Sequence, residues 1–125
     1  MTLTELLKEF HLAYGCEINN PNFEEPEGDA LVELRRRLIK EEFLETDEEL
    51  SLGLSSEETL KELCDLVYVA VGTAVAFGWD FDGAFEEVHR SNMSKLGEDG
   101  RPVYREDFKV LKGANYTAPD LSTYV

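Results

Sequence analysis

The chain has 125 residues, 42% of them hydrophobic, which suggests a single domain over residues 1–125 with an ordinary hydrophobic core. Its 27 acidic residues against 12 Lys and Arg give a formal net charge of −15, which argues against a nucleic-acid partner because protein surfaces that bind the phosphate backbone are basic. The longest apolar run, residues 66–79, is shorter than the ~20 residues that span a bilayer, so no membrane partner is expected. Cys16 and Cys64 show neither a pairing pattern nor zinc spacing. We therefore expect reduced thiols in a cytoplasmic protein, with Cys64 buried.

The first predicted helix begins after Thr2, which is placed to cap it with Glu5 as the capping-box partner, and it ends at Gly15. Glu5 and Lys8 interrupt its apolar pattern and argue against a signal peptide. Residues 15–28 carry Asn, Pro and Gly turn signals and predict a loop. Such a loop could lie over a substrate, although its composition does not require this.

The next two helices are predicted from residue 29 to about 50 and from a Ser55 cap to Phe77, where Gly78 follows. The first has an apolar stripe on one face, with acidic residues on another. The second is apolar on nearly every side, which is typical of a helix buried all round. In so small a protein this predicts packing against a second copy of the chain.

A fourth helix is predicted to begin at Asp80 or Asp82 and to run to about Lys95. The chain should therefore be helical over 1–96, with an extended tail over 97–125. The tail interleaves basic and aromatic residues among glycines, which suits phosphate and base contacts and equally suits a strap around a neighbouring subunit. The predicted fold class is all-α: a bundle of about four helices, completed by oligomerisation, with an extended C-terminal tail.

Carboxylates at positions i and i+3 occur on both central helices, as Glu42 with Glu45 and as Glu62 with Asp65. Residues three apart share a helix face, so two such faces can form an oxygen cage for Mg²⁺ or Mn²⁺. Exposed acidic pairs are also common as solubility features. Burial of Glu62 and Asp65 among apolar residues would be costly without a counter-ion, and this favours the metal site. Glu41, beside the first pair, is a candidate general base.

Three further residues are candidate phosphate contacts. Asn92 and Lys95 lie three apart on the fourth helix, and a solvated helix face is the alternative for both. Arg35 lies on the same face as Glu42, two turns upstream, and is a possible phosphate contact.

Two motifs carry a resemblance to a known family. Glu41-Glu42-x-x-Glu45, a sixteen-residue gap and then Glu62-x-x-Asp65 resemble the motif of the all-α nucleoside triphosphate pyrophosphohydrolases, the MazG-like superfamily. The strings at 87–96, 102–107 and 109–116 resemble the short phosphoribosyl-ATP pyrophosphohydrolase-like proteins of bacteria and phages. The resemblance covers nearly the whole chain.

The resemblance implies cleavage of (d)NTPs between the α- and β-phosphates, with two or more Mg²⁺ or Mn²⁺ ions per site. By position it makes Glu42, Glu45, Glu62 and Asp65 the metal ligands and Glu41 the acid that handles water. Substrate contacts carried over in the same way are Asn92, Lys95, Lys109, Lys112 and Tyr116. It also implies a homodimer or homotetramer.

A branch of phage proteins within the family, the MazZ-like branch, prefers guanine nucleotides. This leads to the expectation of a dGTP- or GTP-preferring enzyme in a host cytoplasm. The alternatives are a house-cleaning enzyme for dUTP or dCTP and a non-catalytic nucleotide- or metal-binding oligomer. Phe108 departs from the glycine that relatives carry. Its ring is expected to stack on a base or to seal a subunit contact.

Overall fold

The computed structural model describes all 125 residues and has four α-helices and one small two-stranded sheet, which confirms the all-α prediction. Helix α1 spans Leu3–Tyr14, α2 spans Asp29–Leu52, α3 spans Ser56–Phe77 and α4 spans Phe81–Met93. A 3₁₀ turn at Pro26–Gly28 precedes α2. The tail holds two short antiparallel strands, β1 (Val103–Tyr104) and β2 (Val110–Leu111), in which Val103 faces Leu111. No helix has the length and the apolar character needed to cross a membrane.

The helix ends follow the local signals in the sequence. Thr2 and Glu5 form the predicted capping box at the start of α1, and the Ser55 side chain caps α3 by accepting from the Glu58 amide. Gly53 and Gly78, both in the left-handed conformation, end α2 and α3. The sequence placed the end of α2 two residues early and that of α4 two residues late, because helix ends fray over about that range.

Residues Met1–Trp79 form one compact unit, built from α1, α2 and α3. Its core is the C-terminal half of α3, where Val71 and Val75 are fully buried, with Leu7 of α1 beside them. The N-terminal half of α3 is not covered on all sides within one chain, since Leu60, Leu63 and Val67 are exposed. Within one chain, the buried part of α3 is therefore its second half, and the prediction that a second copy covers the rest stays a prediction.

Cys64 is exposed, so the prediction of a buried thiol was wrong. It lies on the open side of α3 and lines an apolar groove of about 270 Å³ between α1 and α3. The apolar sequence around Cys64 marks that side of the helix as hydrophobic but does not reveal that nothing in the same chain covers it.

Residues Asp80–Val125 form the second compact unit, in which the end of the chain packs along α4. The Ser91 hydroxyl donates to the Thr117 carbonyl at 2.8 Å, and Arg90 donates to the Thr117 hydroxyl at 2.6 Å. The Asp120 amide donates to a Glu87 carboxylate oxygen at 2.8 Å. The C-terminal residues are therefore held to α4 by named polar contacts, whereas the sequence predicted only an extended tail.

The hairpin of β1 and β2 turns at Phe108, which adopts a φ of 66° and is 82% exposed. A left-handed backbone favours glycine and is strained for a bulky residue. The conformation explains why glycine would suit this position. The ring projects away from the residues of its own unit.

Candidate functional site

Three carboxylates from two helices converge in the first unit. Glu42 on α2 and Glu62 and Asp65 on α3 each offer one oxygen, and these oxygens lie within 4.8 Å of one another. Glu62 is only 8% exposed, whereas Glu42 and Asp65 are half-buried. We call these three residues the carboxylate cluster. The i to i+3 spacing in α3 places Glu62 and Asp65 on one face, as predicted.

The buried side chain of Thr46 joins the two helices beside the cluster. Its hydroxyl oxygen lies 2.7 Å from the Glu42 carbonyl on its own helix and 3.1 Å from the Glu62 carbonyl on α3. The hydroxyl therefore contacts the backbone of one cluster residue on each helix. Thr46 was not predicted as a site residue, and its i to i+4 spacing from Glu42 is the only signal that the sequence contains.

Two oxygens of the cluster have no hydrogen-bond partner. Oε2 of Glu42 and Oε2 of Glu62 are both shielded from solvent and accept no hydrogen bond. Burial raises the pKa of the Glu42 carboxyl, and the neighbouring negative charges of Glu45 and Asp65 raise it further. A buried, unpaired carboxylate oxygen is costly, and a bound cation could offset that cost.

Lys61 partly neutralises the cluster from its outer edge. Its Nζ lies 2.9 Å from Oδ2 of Asp65 and 3.4 Å from Oε1 of Glu62. Hydrogen bonding to Asp65 and its negative charge raise the pKa of the lysine. The Lys61 side chain is 60% exposed, and no salt bridge reaches Glu42. Lys61 was not predicted as a site residue, although its i to i+4 spacing from Asp65 is a recognisable signal.

The structure does not gather every predicted site residue of the first unit. Glu45 is exposed and lies outside the set of three close oxygens, although its charge acts on Glu42. Glu41, the predicted base, is exposed one residue before Glu42. The position of Glu41 follows from α2, because residues one apart on a helix point in different directions.

Arg35, predicted as a phosphate contact, is buried and bonded to α3. Its Nε donates to the Thr73 hydroxyl at 3.1 Å, and its Nη2 donates to the Val69 carbonyl at 2.9 Å. Burial lowers the pKa of its guanidinium. Gly72 leaves room for it, because a Cβ there would lie 2.6 Å from Nη2. These contacts assign Arg35 to helix packing, and none of them involves the carboxylate cluster.

The remaining predicted substrate contacts lie in the second unit. Asn92 is exposed at the end of α4, and Lys95 is half-buried, with its carbonyl accepting from the Gly113 amide at 2.7 Å. The ammonium of Lys112 sits 4.7 Å from the centre of the Tyr116 ring, a cation–π distance. Lys109 is exposed and follows the Phe108 turn directly. These groups present cations and an amide to solvent.

The donor set of the cluster fits a hard divalent cation. All of its ligand atoms are carboxylate oxygens, the donors that Mg²⁺ and Mn²⁺ favour. No cysteine or histidine belongs to the cluster, so it lacks the softer ligands typical of structural zinc sites. The two unpartnered oxygens supply acceptors that an ion would satisfy.

Comparison with known proteins finds a matching family model. The family model of phosphoribosyl-ATP pyrophosphohydrolase matches residues 5–92. The matched span includes all four predicted metal ligands and Asn92, and it ends before Lys95 and the hairpin tail. The search of curated proteins finds no match.

Proposed function

Since the chain belongs to the phosphoribosyl-ATP pyrophosphohydrolase family, we propose that it is a metal-dependent nucleoside triphosphate pyrophosphohydrolase. The family lies within the MazG-like all-α superfamily, so the predicted resemblance is confirmed. Membership points to a nucleotide pyrophosphohydrolase, a hydrolase of phosphoric anhydrides. The metal, the (d)NTP substrate and the residue roles below are parts of the proposal.

The observation that carries the proposal is the pair of buried, unpartnered oxygens on Glu42 and Glu62. An acidic surface kept for solubility would leave its carboxylates in water, where both oxygens are hydrated. Here two helices instead bring carboxylates together within 4.8 Å, at an electrostatic cost. Carboxylates that are held together despite this repulsion are typical of functional sites, where their charge serves binding or catalysis.

Glu42, Glu62 and Asp65 would hold Mg²⁺ or Mn²⁺, with Glu45 one turn along α2 as a further ligand. When bound, the ion would neutralise these carboxylates and offset the charge of the substrate phosphates. Two or more ions would require Glu45 to turn toward the cluster. The buried Thr46 contact would fix the spacing of the two helices that carry the ligands.

The reaction proposed is hydrolysis of the anhydride between the α- and β-phosphates. A water oxygen forms a bond to the α-phosphorus, the bond from that phosphorus to the bridging oxygen breaks, and pyrophosphate leaves. Glu41 accepts the proton of the attacking water, as an exposed carboxylate beside the metal ligands can. Asn92, Lys95, Lys109 and Lys112 would contact the phosphates, and Tyr116 the base, because amides, ammonium groups and an aromatic ring suit these partners.

The active protein is proposed to be a homodimer or homotetramer. The groove between α1 and α3 is lined almost wholly by apolar side chains, and several of them are exposed in the single chain, among them Leu3, Leu6, Leu63 and Val67. Contiguous apolar surface of this kind marks an interaction site. Sedimentation of the purified protein tests this part of the proposal, and a monomer at micromolar concentration would contradict it.

The function is tested by incubating the protein with each (d)NTP and Mg²⁺ or Mn²⁺ and resolving the products. We expect monophosphate and pyrophosphate, with the highest rate for dGTP or GTP. A preference for dUTP or dCTP would instead support a house-cleaning enzyme. Binding of nucleotides without turnover would contradict the enzymatic proposal and support a non-catalytic oligomer.

Variants separate the roles of the acids. Glu62→Gln should abolish turnover and metal binding together, whereas Glu41→Gln should abolish turnover and leave metal binding intact. Glu57→Gln is the matched control, because Glu57 is exposed in the first turn of α3 and lies outside the cluster. Full activity in Glu62→Gln would contradict the metal site.

A further inference from the structure

Lys61 is in direct contact with the carboxylate cluster and comes from the same helix as two of its members. It precedes Glu62 by one residue and Asp65 by four, and its Nζ reaches an oxygen of each, at 3.4 and 2.9 Å. Its side chain remains 60% exposed. The ammonium thus pairs with the cluster from the solvent side and can leave without disturbing the core.

The lysine neutralises only part of the cluster. The oxygens that it contacts are Oε1 of Glu62 and Oδ2 of Asp65, whereas the buried oxygens without a partner are Oε2 of Glu62 and Oε2 of Glu42. Glu42, on the opposite helix, forms no salt bridge with any residue of the chain. One cation at the rim therefore leaves the interior of the cluster uncompensated.

We infer that Lys61 is the resident counter-ion of the metal-free cluster and that a divalent cation binds in competition with it for Asp65. This inference rests on the metal site of the proposed function and adds a residue that sets its affinity. Two cations cannot share the Asp65 carboxylate without repulsion, since unit charges a few ångströms apart interact strongly near a protein surface. Lys61 thus acts as a positioning residue that weakens metal binding and supports the metal-free fold.

Calorimetric titration with MnCl₂ alone, without nucleotide, tests the inference on three proteins. These are the wild type, Lys61→Met and the control Lys40→Met. Methionine keeps the apolar stem and removes the charge. Lys40 is exposed on α2 and makes no ion pair, so its loss changes the net charge equally. We expect Lys61→Met to bind Mn²⁺ roughly three- to fivefold more tightly, the upper end of the scale of a surface ion pair, and Lys40→Met to change the Kd less than about twofold.

A second variant and a second readout guard against a misfolded protein. Lys61→Arg keeps the charge and offers a fork that suits a carboxylate, so it should bind Mn²⁺ no more tightly than the wild type. In thermal unfolding with EDTA, Lys61→Met should melt below the wild type, because its cluster has lost its only cation. With saturating Mn²⁺ the two proteins should have the same Tm. Mn²⁺ should therefore raise the Tm of Lys61→Met by more than it raises that of the wild type.

The outcomes distinguish this inference from the proposed function. Equal Mn²⁺ affinity in the wild type and Lys61→Met, or weaker binding in the variant, would overturn the inference while leaving the metal site standing. An increase in Mn²⁺ affinity in Lys40→Met equal to that in Lys61→Met would also overturn the inference, because net charge alone would then explain the effect. Absence of Mn²⁺ binding in both the wild type and Lys61→Met would overturn the metal site and the inference together.

Discussion

Replacing Glu42 by glutamine should stabilise the metal-free protein and abolish its response to metal. Glu42 has no salt bridge to lose, and its Oε2 atom is buried without a partner. The glutamine amide keeps the size of the side chain, removes the negative charge and brings a donor close to the unpartnered oxygen of Glu62. The same change deletes a ligand from the cluster, so stability and metal binding should move in opposite directions.

The magnitude follows from the separation of the charges. Two unit charges 4.8 Å apart, the upper limit for any pair in the cluster, repel by about 0.9 kcal/mol at the dielectric constant of water and by about 3.5 kcal/mol at an effective value of 20. The half-buried position of Glu42 lies between these limits, and solvent screening favours the lower one. Glu42→Gln should therefore raise the free energy of unfolding by at least about 1 kcal/mol, or Tm by roughly 4 °C.

Thermal unfolding by circular dichroism, in EDTA and in MnCl₂, measures both effects. The wild type should gain Tm with Mn²⁺, because an ion that binds only the folded state stabilises it. Glu42→Gln should have a higher Tm than the wild type in EDTA, and Mn²⁺ should not raise its Tm further. Glu41→Gln is the matched control: it changes the net charge equally at an exposed neighbour, so its Tm and its metal response should stay close to those of the wild type. A lower Tm of Glu42→Gln in EDTA, or an undiminished metal response, would refute the reasoning.

Three further predictions concern other parts of the chain. Gly72→Ala should lower the urea midpoint by an amount equivalent to about 1–3 kcal/mol, because the new Cβ would lie 2.6 Å from Nη2 of the buried Arg35. An unchanged urea midpoint would show that the Arg35 side chain can move away from the new methyl group. Phe108→Gly should raise the free energy of unfolding by up to about 1 kcal/mol, because glycine adopts the left-handed φ of 66° at this exposed residue without strain. A lower free energy of unfolding would show that the Phe108 ring makes a stabilising packing contact. Hydrogen bonds from Arg90 and the Asp120 amide lower the pKa of Glu87 to about 2, so the attachment of the C-terminal residues to α4 should be intact above pH 4.5 and be lost as the pH falls toward 2. The shift of the Glu87 side-chain carboxyl carbon by NMR should follow that titration, and a midpoint near the ordinary pKa of glutamate would contradict it.

Local rules predicted the helices because the signals lie within a few residues. The capping pairs at Thr2 and Ser55, and the glycines at the helix ends, each act on the next turn alone. The carboxylate spacing is equally local, since residues three apart share a face in any helix. The convergence of Glu42 with Glu62 and Asp65 depends on how α2 packs on α3, and it was predicted because an apolar helix cannot easily hold lone carboxylates.

What the sequence did not reveal depends on side-chain direction. Arg35 was a possible phosphate contact, and in the structure its guanidinium donates to carbonyl and hydroxyl groups of α3, in space that Gly72 leaves open. Thr46 contacts the Glu62 carbonyl across sixteen residues of sequence, which no local pattern encodes. Cys64 looked buried because its neighbours are apolar, but hydrophobicity does not say whether the cover comes from the same chain.

Product analysis with a single nucleotide tests the central claim most directly. The protein is incubated with dGTP in Mn²⁺ and, separately, in EDTA, and both reactions are resolved by anion exchange. The proposed function predicts equimolar dGMP and pyrophosphate with Mn²⁺, no turnover in EDTA, and no turnover by Glu62→Gln in either. Release of dGDP and inorganic phosphate, or equal turnover by Glu62→Gln, would contradict a pyrophosphohydrolase built on this carboxylate cluster.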